Sequence, residues 1–365
     1  MRSFADVFGL AAEAEATAPG RVNLLGEHTD YHEGYVLPAI IPQRTHASIS
    51  RRTDRAVRAW SAETPGAVEE YVLGFETSGR GWLDYVQGLT MALSRRGVDL
   101  PGFNLHLWST VPIGGGVSSS AALEISVLRA LRTRFGLALD DVALARIGQA
   151  AETEFVGAPV GIMDQMASSL GREGEALFLD TRTLAVERIL LPREIDLVVI
   201  DSGIPHAHAG GAYALRRRES FEAAAALGVG HLRDLDVDAL GRLDGLDPIL
   251  ARRARHVITE NRRVRDGVTA LRASDIPTFG RLMNASHESM RVDYETSTPD
   301  VDTLVAIARQ DGDVAGARLT GGGFGGAIVA IAYAGTAAEA AGRIAGRYAR
   351  TGRTARVLVP EPPGR

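Results

Sequence analysis

The segment from Val111 to Leu131 constrains the fold more than any other part of the sequence. It reads VPIGGGVSSSAALEISVLRAL: an apolar strand ends at Pro112, three glycines follow, and three serines open a helical pattern. Glycine adopts backbone conformations closed to most residues, and a helix N-terminus directs unpaired amides into the preceding loop. Such a loop is suited to an anion, and a nucleotide phosphate is the natural ligand. The alternative is a glycine-rich turn with one serine as N-cap.

The chain contains no lysine, so all 40 residues counted as lysine or arginine are arginines. A GC-rich genome would by itself explain this composition. Whatever its origin, it excludes the phosphate-binding lysine of a P-loop, the strand lysine of protein kinases and a Schiff-base lysine. Any phosphate chemistry must therefore rely on backbone amides, serine, arginine and a metal ion.

The stretch GRVNLLGEHTDYHEGYVLP, from Gly20 to Pro38, carries more polar groups than a turn needs. Its apolar start indicates a buried strand, and a run of hydrogen-bonding side chains follows directly: Glu27, His28, Thr29, Asp30 and Tyr31. A turn requires only a glycine and an aspartate or asparagine. The remaining polar groups indicate a ligand or a partner.

A third stretch, LTGGGFGGAIVAIAY, contains the pattern G-x-G-x-x-G from Gly321 to Gly326. In a dinucleotide-binding fold this pattern opens a helix. Here AIVAIAY follows, which is short and rich in β-branched residues and therefore predicts a strand. We expect a hairpin or loop whose backbone comes close to another backbone or to a ligand.

Two acidic residues flank a glycine- and proline-containing loop in AETEFVGAPVGIMDQMASSLG. Asp164 is expected in the first turn of an amphipathic helix. It either complements the helix dipole or acts as a carboxylate that accepts or orients a hydroxyl proton. Glu152, on the preceding predicted helix, is either solvated or a metal ligand.

Short apolar runs such as YVLPAII, FNLHLWSTVP, ALFLD and IDLVVID read as strands, and Leu123, Val127 and Leu131 share one face of a helix. The region from about 212 to 309 is mostly helical by pattern. An α+β or α/β fold is expected. Because 365 residues exceed the usual size of a single core, we predict two domains, 1–190 and 191–365.

Composition excludes several classes of function. The formal net charge of −5 gives no reason to expect nucleic acid or a membrane as partner. The absence of cysteine excludes disulfides and thiolate sites and fits a cytoplasmic location. Acidic residues interrupt the N-terminal segment where a signal peptide is apolar. His206 and His208 lack a spaced third ligand and are expected to be loop residues rather than zinc ligands.

Together these stretches resemble the signatures of the galactokinase family within the GHMP kinase superfamily. GRVNLLGEHTDY is similar to the galactokinase signature, PIGGGVSSSAAL to the superfamily's phosphate loop, and LTGGGFGG to its third motif. The resemblance implies transfer of the ATP γ-phosphate to the C1 hydroxyl of galactose. It also implies a two-domain α+β fold, with an N-terminal domain like ribosomal protein S5 domain 2 and a ferredoxin-like C-terminal domain.

The resemblance further implies roles for single residues. Asp164 would be the base or orienting carboxylate for the C1 hydroxyl, and Arg21 would hold this carboxylate and neutralise charge. Mg²⁺ would be held by Ser120 and Glu152. The sugar would be bound by Glu27, His28, Asp30, Gly161, Asp164 and Tyr213. The ATP phosphates would be bound by Gly114, Gly115, Gly116, Val117, Ser118, Ser119 and Ser120. The expected partners are the sugar and ATP alone, and the protein is expected to be a monomer.

The sequence departs from the family pattern at three places that are expected to lie near the sugar pocket. His32 replaces an asparagine, Ile41 and Pro42 stand where an aspartate is common, and GGAYA at Tyr213 replaces SEYN. The main alternative is therefore a kinase of arabinose, glucuronic acid, an N-acetylhexosamine or a galactose analogue. A catalytically silent sugar sensor is a second alternative, although such sensors lack residues of the serine motif, which is intact here.

Overall fold

The apolar runs of the sequence form β-strands in the computed structural model, which describes residues 2–204 and 209–361. The strands are Ala14–Asn23 (β1), Tyr35–Val36 (β2), Pro38–Arg51 (β3), Ala56–Ser61 (β4), Glu69–Val72 (β5), Phe103–Ser109 (β6), Glu175–Asp180 (β7), Val186–Leu190 (β8), Ile195–Asp201 (β9), Val314–Thr320 (β10), Ala327–Tyr333 (β11) and Arg356–Val359 (β12).

Helices occupy much of the remaining chain. The α-helices are Phe4–Phe8 (α1), Leu83–Arg95 (α2), Ser119–Phe135 (α3), Asp141–Ala151 (α4), Met163–Leu170 (α5), Ala209–Ala226 (α6), Pro248–Arg272 (α7), Ile276–Val292 (α8), Pro299–Arg309 (α9) and Ala337–Ala349 (α10). Glu152–Val156 forms a turn of π-helix, and Asp30–His32, Leu232–Asp234 and Val237–Gly245 are 3₁₀-helical. The predicted strands at YVLPAII, FNLHLWSTVP, ALFLD and IDLVVID are confirmed, as is the helical region from 212 to 309.

Contacts divide the chain into two compact units. The first comprises the chain up to Gly20, Gln43–Pro112 and Ser118–Leu170, and the second comprises Arg21–Pro42, Ile113–Val117 and Gly171–Arg365. These units differ from the predicted division at residue 190, because the chain changes unit within β3 and again on either side of the glycine loop. A single boundary in the sequence cannot describe units that each consist of several separate segments.

The first unit packs helices against a sheet. Its part of β3 pairs antiparallel with β6, β4 pairs parallel with β6, and β5 pairs antiparallel with β4. Helices α2, α3 and α4 contribute buried apolar side chains to the core, among them Leu83, Leu89, Leu128, Leu131 and Leu144. The predicted apolar face of α3 is therefore part of this core. Its packing fixes the position of the helix that begins within the serine motif.

The second unit contains a four-stranded sheet in the order β10-β11-β9-β12, with antiparallel pairing throughout. Its core includes Ile200, Leu304, Leu319 and Ile344, which come from β9, α9, β10 and α10. Strands β10 and β11 flank the third glycine-rich stretch, with Thr320 paired to Ala327. The strand predicted at AIVAIAY is confirmed, so a dinucleotide-binding helix is excluded there.

Helix α8 lies against β10 at a crossing that leaves no room for side chains. A Cβ on Gly280 would lie 2.1 Å from the carbonyl oxygen of Ala315, and a Cβ on Gly316 would lie 2.4 Å from the carbonyl oxygen of Gly280. Because both close contacts are with backbone, neither can be relieved by a change of rotamer. These two glycines therefore set the distance between helix and sheet in the second unit.

We expect Gly280→Ala to lower the free energy of unfolding by about 2 kcal/mol or more, because overpacking outweighs the gain in helix propensity. Gly346→Ala in α10 is the matched control, since a Cβ at that position would have no neighbouring atom within 4 Å, and it should stabilise by up to about 1 kcal/mol. Urea unfolding followed by circular dichroism measures both. Equal effects of the two substitutions would contradict the close crossing of α8 and β10.

Candidate active site

The glycine loop before α3 has the backbone of an anion-binding loop. Gly114, Gly116 and Ser118 have φ values of 72°, 71° and 62°, all in the left-handed region. Left-handed residues that alternate with others turn successive amide groups towards one side of the chain. The loop is followed directly by the first turn of α3, whose amides are unpaired within the helix. This geometry supports the predicted phosphate loop.

Arg21 fixes the orientation of this loop within the second unit. Its backbone N–H donates to the carbonyl oxygen of Val117 at 3.0 Å, and its Nη1 donates to that of Gly116 at 2.8 Å. In a peptide unit the carbonyl and the N–H point in opposite directions. Holding these two carbonyls therefore turns the N–H groups of Val117 and Ser118 away from Arg21. The predicted contact of Arg21 with Asp164 stays a prediction.

Ser118 occupies the N-cap position of α3 but does not cap it. Its side chain makes no capping hydrogen bond, and its Oγ instead donates to Oδ2 of Asp164 at 2.5 Å. Asp164 is the second residue of α5 and lies in its first turn, as predicted. The simple N-cap alternative is therefore wrong for Ser118. In the first unit, the serine motif is joined directly to the carboxylate predicted to act on the substrate hydroxyl.

A buried acidic cluster lies beside this pair in the first unit. Gln165 Nε2 donates to Oε2 of Glu124 at 3.0 Å and to Oε2 of Glu152 at 2.8 Å. Burial, and after it the nearby Glu152 carboxyl, raises the pKa of Glu124. Burial, and after it Asp164, raises the pKa of Glu152, while a hydrogen bond with Ser120 opposes this rise. Glu152 is 6% exposed, so its predicted solvated alternative is wrong.

Sequence reasoning missed Glu124 and Gln165. A signal was present for Glu124, because it lies four residues after Ser120 and therefore on the same face of α3. Its helical neighbours Ile125 and Leu128 are fully buried. A glutamate among apolar positions of a core helix is uncommon unless it has a partner. Gln165 offered no such signal, since it follows Asp164 in a short helix.

The Ser120 hydroxyl and the Glu152 carboxyl fit a magnesium ion. Mg²⁺ prefers oxygen ligands, and in phosphate-transferring sites it typically uses one or two carboxylates together with substrate phosphates. Within residues 2–204 and 209–361 there is no group of three or more acidic or histidine side chains arranged to hold a metal. A site made only from protein side chains is therefore not formed there, and a site shared with the phosphates matches the donor set.

In the second unit, Glu27 connects the polar turn to the third glycine-rich stretch. Its Oε1 accepts from the backbone N–H of Gly321 at 2.7 Å and lies 3.7 Å from Nη2 of Arg318. Glu27 and Arg318 are both buried. The charge of Glu27 is thus compensated inside the protein, and its side chain is held in one orientation.

His28 lies among three tyrosine rings in the same unit. Its ring centroid is 4.8 Å from that of Tyr294, 5.3 Å from that of Tyr213 and 6.0 Å from that of Tyr31. Tyr213 is carried by α6, whereas His28 follows β1. The structure therefore brings together two of the predicted sugar-binding residues that are far apart in sequence.

Asp30 and His32 belong to the short 3₁₀ segment but contact different groups. The backbone N–H of Tyr31 donates to Asp30 Oδ1 at 3.0 Å. His32 is fully buried, its Nε2 lies 2.8 Å from Ser220 Oγ, and its ring stacks on Phe221 at 4.3 Å. His32 thus packs against α6, the helix that carries Tyr213. The other two residues that depart from the family pattern differ in exposure: Ile41 is buried and Pro42 is exposed.

The third glycine-rich stretch makes close backbone contacts, as predicted. A Cβ on Gly321 would lie 2.5 Å from the carbonyl oxygen of Gly116, and one on Gly323 would lie 2.4 Å from that of Thr296. Gly161 is buried in the loop before α5. His206 and His208 lie outside the described residues.

Comparison with known proteins supports the family resemblance that the sequence motifs indicate. Residues 84–172 match the GHMP kinase N-terminal domain, residues 268–350 match the GHMP kinase C-terminal domain, and residues 2–51 match the galactokinase galactose-binding signature. The crystal structure of Lactococcus lactis galactokinase complexed with galactose superposes with a TM-score of 0.92 and 34% sequence identity. The match covers 97% of this chain and 95% of that one. The chain belongs to the galactokinase family.

As a member of the galactokinase family, the protein is an ATP-dependent sugar kinase, and the predicted two-domain GHMP kinase fold is confirmed. More distant structures show the same fold. Methanococcus jannaschii mevalonate kinase matches with a TM-score of 0.69 at 17% identity, over 95% of this chain and 98% of its own. A D-glycero-D-manno-heptose 1-phosphate kinase from Bacteroides thetaiotaomicron matches with a TM-score of 0.62 at 15% identity, over 94% of this chain and 95% of its own.

No helix in the described part of the chain has the length and apolar character needed to cross a bilayer.

Three buried histidines should make the stability of the protein sensitive to acid. Burial lowers the pKa of His28, His32 and His256 to about 3, 3 and 4. Between these values and the unfolded value of 6.5, the unfolded state binds more protons, so stability is present above about pH 6.5 and is lost as pH falls. Each histidine contributes a slope of up to about 1.4 kcal/mol per pH unit.

The free energy of unfolding, measured by urea titration from pH 7 to pH 4.5, tests this prediction. His32→Asn is the informative variant, because it removes one of the three titrating groups. In this variant the free energy of unfolding should fall less steeply with decreasing pH than in the wild type. The difference corresponds to the binding of about one proton on unfolding. An unchanged slope would show that His32 titrates normally in the folded protein.

Proposed function

We propose that this protein transfers the γ-phosphate of ATP to the C1 hydroxyl of galactose, giving galactose 1-phosphate and ADP. The observation that carries the proposal is the hydrogen bond from Ser118 to Asp164. This bond joins the Asp164 carboxylate, which is able to orient a substrate hydroxyl, to Ser118 of the predicted phosphate loop. The group that would orient the sugar is therefore held next to the loop that would position the phosphate. The choice of galactose is supported by the match of residues 2–51 to the galactose-binding signature.

Catalysis in this proposal is positioning together with charge neutralisation, as in other phosphoryl transfers. The backbone amides of residues 114–120 would bind the phosphates of ATP. Asp164 accepts a hydrogen bond from the C1 hydroxyl and directs its oxygen at the γ-phosphorus. Arg21 holds the loop and contributes positive charge as the phosphoryl group moves. Because the chain has no lysine, arginine and backbone amides supply this stabilisation.

Ser120 and Glu152 would hold Mg²⁺, which when bound neutralises phosphate charge and fixes the orientation of the phosphates. Glu124 and Gln165 would act one contact further away. Gln165 donates to both carboxyls and so keeps the Glu152 side chain in one position. Side chains that ligate a metal are usually oriented by hydrogen bonds of this kind from neighbouring residues.

The sugar would be bound by Glu27, His28, Asp30, Gly161 and Tyr213, with Asp164 at the reacting end. Another sugar is the second candidate, because His32 packs against the helix that carries Tyr213 and differs from the usual asparagine. A silent sugar sensor is disfavoured, because the serine motif is intact and Ser118 is bonded to Asp164.

ADP release over a panel of aldoses tests the function directly, with Asp164→Asn beside the wild type. Galactose should stimulate release most strongly. Asp164→Asn should lower kcat by roughly 10²-fold or more while galactose binding changes little, because the interaction acts mainly in the transition state. Asp140→Asn, which alters only the N-cap of α4, is the matched control and should retain kcat.

If no sugar stimulates ADP release by the wild-type protein, the kinase proposal is wrong. If galactose is a poor substrate and another aldose a good one, only the identity of the sugar changes.

The metal assignment predicts a specific defect in Glu152→Gln. Calorimetric titration with ADP, with and without Mg²⁺, should show that magnesium strengthens binding to the wild type but has much less effect on the variant. The reason is that an amide oxygen is a weaker ligand for a hard cation than a carboxylate. Binding of metal-free ADP should be similar for both proteins. Equal magnesium dependence would exclude Glu152 as a ligand.

A further inference from the structure

Three side chains of α7 hydrogen-bond to the backbone of the polar turn, residues 26–35. They are His256, Glu260 and Asn261, all of them buried, and we call them the α7 clamp. His256 and Glu260 lie four residues apart on one face of the helix, and Asn261 follows directly, so all three reach the same segment. The clamp and the turn both belong to the second unit.

Glu260 and His256 hold the start of the turn. Oε1 of Glu260 accepts from the backbone N–H of Gly26 at 2.8 Å. Nε2 of His256 donates to the carbonyl oxygen of Glu27 at 3.0 Å, and its Nδ1 lies 3.0 Å from Ser289 Oγ. These bonds fix the peptide group before Gly26 and the one after Glu27. The backbone on both sides of the Glu27 side chain is therefore held by α7.

Asn261 holds the end of the turn. Its Oδ1 accepts from the backbone N–H of Tyr35 at 2.8 Å, and its Nδ2 donates to the carbonyl oxygen of Val257 at 2.9 Å. A Cβ on Gly34 would lie 2.5 Å from Asn261 Oδ1, and one on Gly26 would lie 2.6 Å from the carbonyl oxygen of Tyr35. The two ends of the turn thus meet beside α7, and Asn261 lies directly against the second end.

The charge of Glu260 is balanced by groups inside the second unit. Its Oε1 also accepts from Ser286 Oγ at 2.6 Å, and its Oε2 accepts from Arg263 Nε at 2.5 Å. Burial by itself would raise the pKa of this carboxyl, but Arg263 and Arg318 outweigh it and hold the pKa below its ordinary value. Arg318 is also the cation beside Glu27. Loss of Glu260 would therefore change both the backbone contact and the charge balance around Glu27.

Contacts from outside α7 hold the middle of the turn. The Thr181 N–H donates to the carbonyl oxygen of Gly34 at 3.0 Å, and Thr181 Oγ1 lies 2.9 Å from this oxygen and 3.2 Å from that of Asp30. Nη1 of Arg233 donates to the carbonyl oxygen of Glu33 at 2.5 Å. These contacts act on residues 30–34, whereas the α7 clamp acts on the two ends.

We propose that the residues of the α7 clamp are positioning residues for sugar binding, which hold the polar turn in the conformation that presents Glu27 and His28 to the sugar. A site that is ordered before binding avoids the entropic cost of ordering it when the ligand arrives. The clamp therefore sets the affinity for the sugar. The inference rests on the proposed function for the identity of the sugar, and it leaves Glu27, His28 and Asp30 as the predicted ligands.

Asn261→Ala tests the clamp without a change of buried charge, because it removes only the acceptor of the Tyr35 N–H. Calorimetric titration with galactose should show a Kd that is roughly tenfold higher than in the wild type. The Kd for ADP and the kcat at saturating galactose should stay within about twofold, because the clamp acts on ground state and transition state alike. Glu260→Gln should show the same pattern, because an amide oxygen is a weaker acceptor than a carboxylate.

Ile344→Ala is the control for a general loss of stability. Ile344 is fully buried in α10, in the core of the four-stranded sheet. Its truncation should lower the midpoint of urea unfolding at least as far as Asn261→Ala does, yet leave the Kd for galactose unchanged. The proposal is overturned if Ile344→Ala weakens galactose binding as much as Asn261→Ala, or if neither clamp variant weakens it.

Hydrogen exchange followed by mass spectrometry tests the clamp in the wild type, where no variant has to fold. Peptides that contain the amides of Gly26 and Tyr35 should be protected in the free protein, before galactose is added. In Asn261→Ala the peptide with Tyr35 should exchange faster, while a peptide that contains Ile344 should not change. Rapid exchange of the Gly26 and Tyr35 amides in the free wild type would overturn the proposal.

The same measurements separate this proposal from the proposed function. If the wild type binds no galactose, but the Tyr35 amide is protected in it and loses protection in Asn261→Ala, the proposed substrate is wrong and the hold of the clamp on the turn stands. If the wild type phosphorylates galactose and both clamp variants bind it as tightly as the wild type, the proposed function stands and the role of the clamp is wrong.

Discussion

The backbone at Gly321 passes so close to Gly116 that a Cβ would lie 2.5 Å from the carbonyl oxygen of Gly116. The same oxygen accepts the hydrogen bond from Arg21 Nη1, and the N–H of Gly321 donates to Glu27. One small region of the second unit thus joins residues from all three sequence motifs. This close approach brings together motifs that are far apart in sequence. It also explains why the third motif needs a glycine at this position although it opens no dinucleotide-binding helix.

Arg21 is a cationic residue that contacts the predicted phosphate loop in this region of the second unit. Its backbone and side chain both hold the phosphate loop, through Val117 and Gly116. With these carbonyls turned towards Arg21, the amides on the opposite side of each peptide are directed away from it. In the proposed function, the positive character needed for phosphate would come largely from oriented backbone dipoles, which require no mobile side chain.

The secondary structure and the positions of the motifs could be predicted from the sequence, because both depend on local patterns. The apolar runs became strands, and Asp164 lies in the first turn of a helix as expected. The partners of individual polar groups could not be predicted. Ser118 has the sequence context of an N-cap, and only the packing of α5 against α3 brings Asp164 to its hydroxyl.

Glu124 and Gln165 show the same limit. Each depends on residues from different segments that meet only in the folded chain. The predicted domain boundary illustrates a related difficulty, because the chain passes between the two units several times, and no local feature of the sequence marks these exchanges. The motif resemblance predicted which residues form the site, whereas the contacts of their side chains depend on the folded chain.

The proposed function requires the protein to position a phosphate for attack by the C1 hydroxyl of galactose. Carbon-13 and phosphorus-31 spectra of the product formed from C1-labelled galactose and ATP test this requirement. The labelled carbon should become coupled to phosphorus, which would place the new phosphate on C1. Phosphate at any other carbon, or galactose left unmodified while ATP is present, would contradict it.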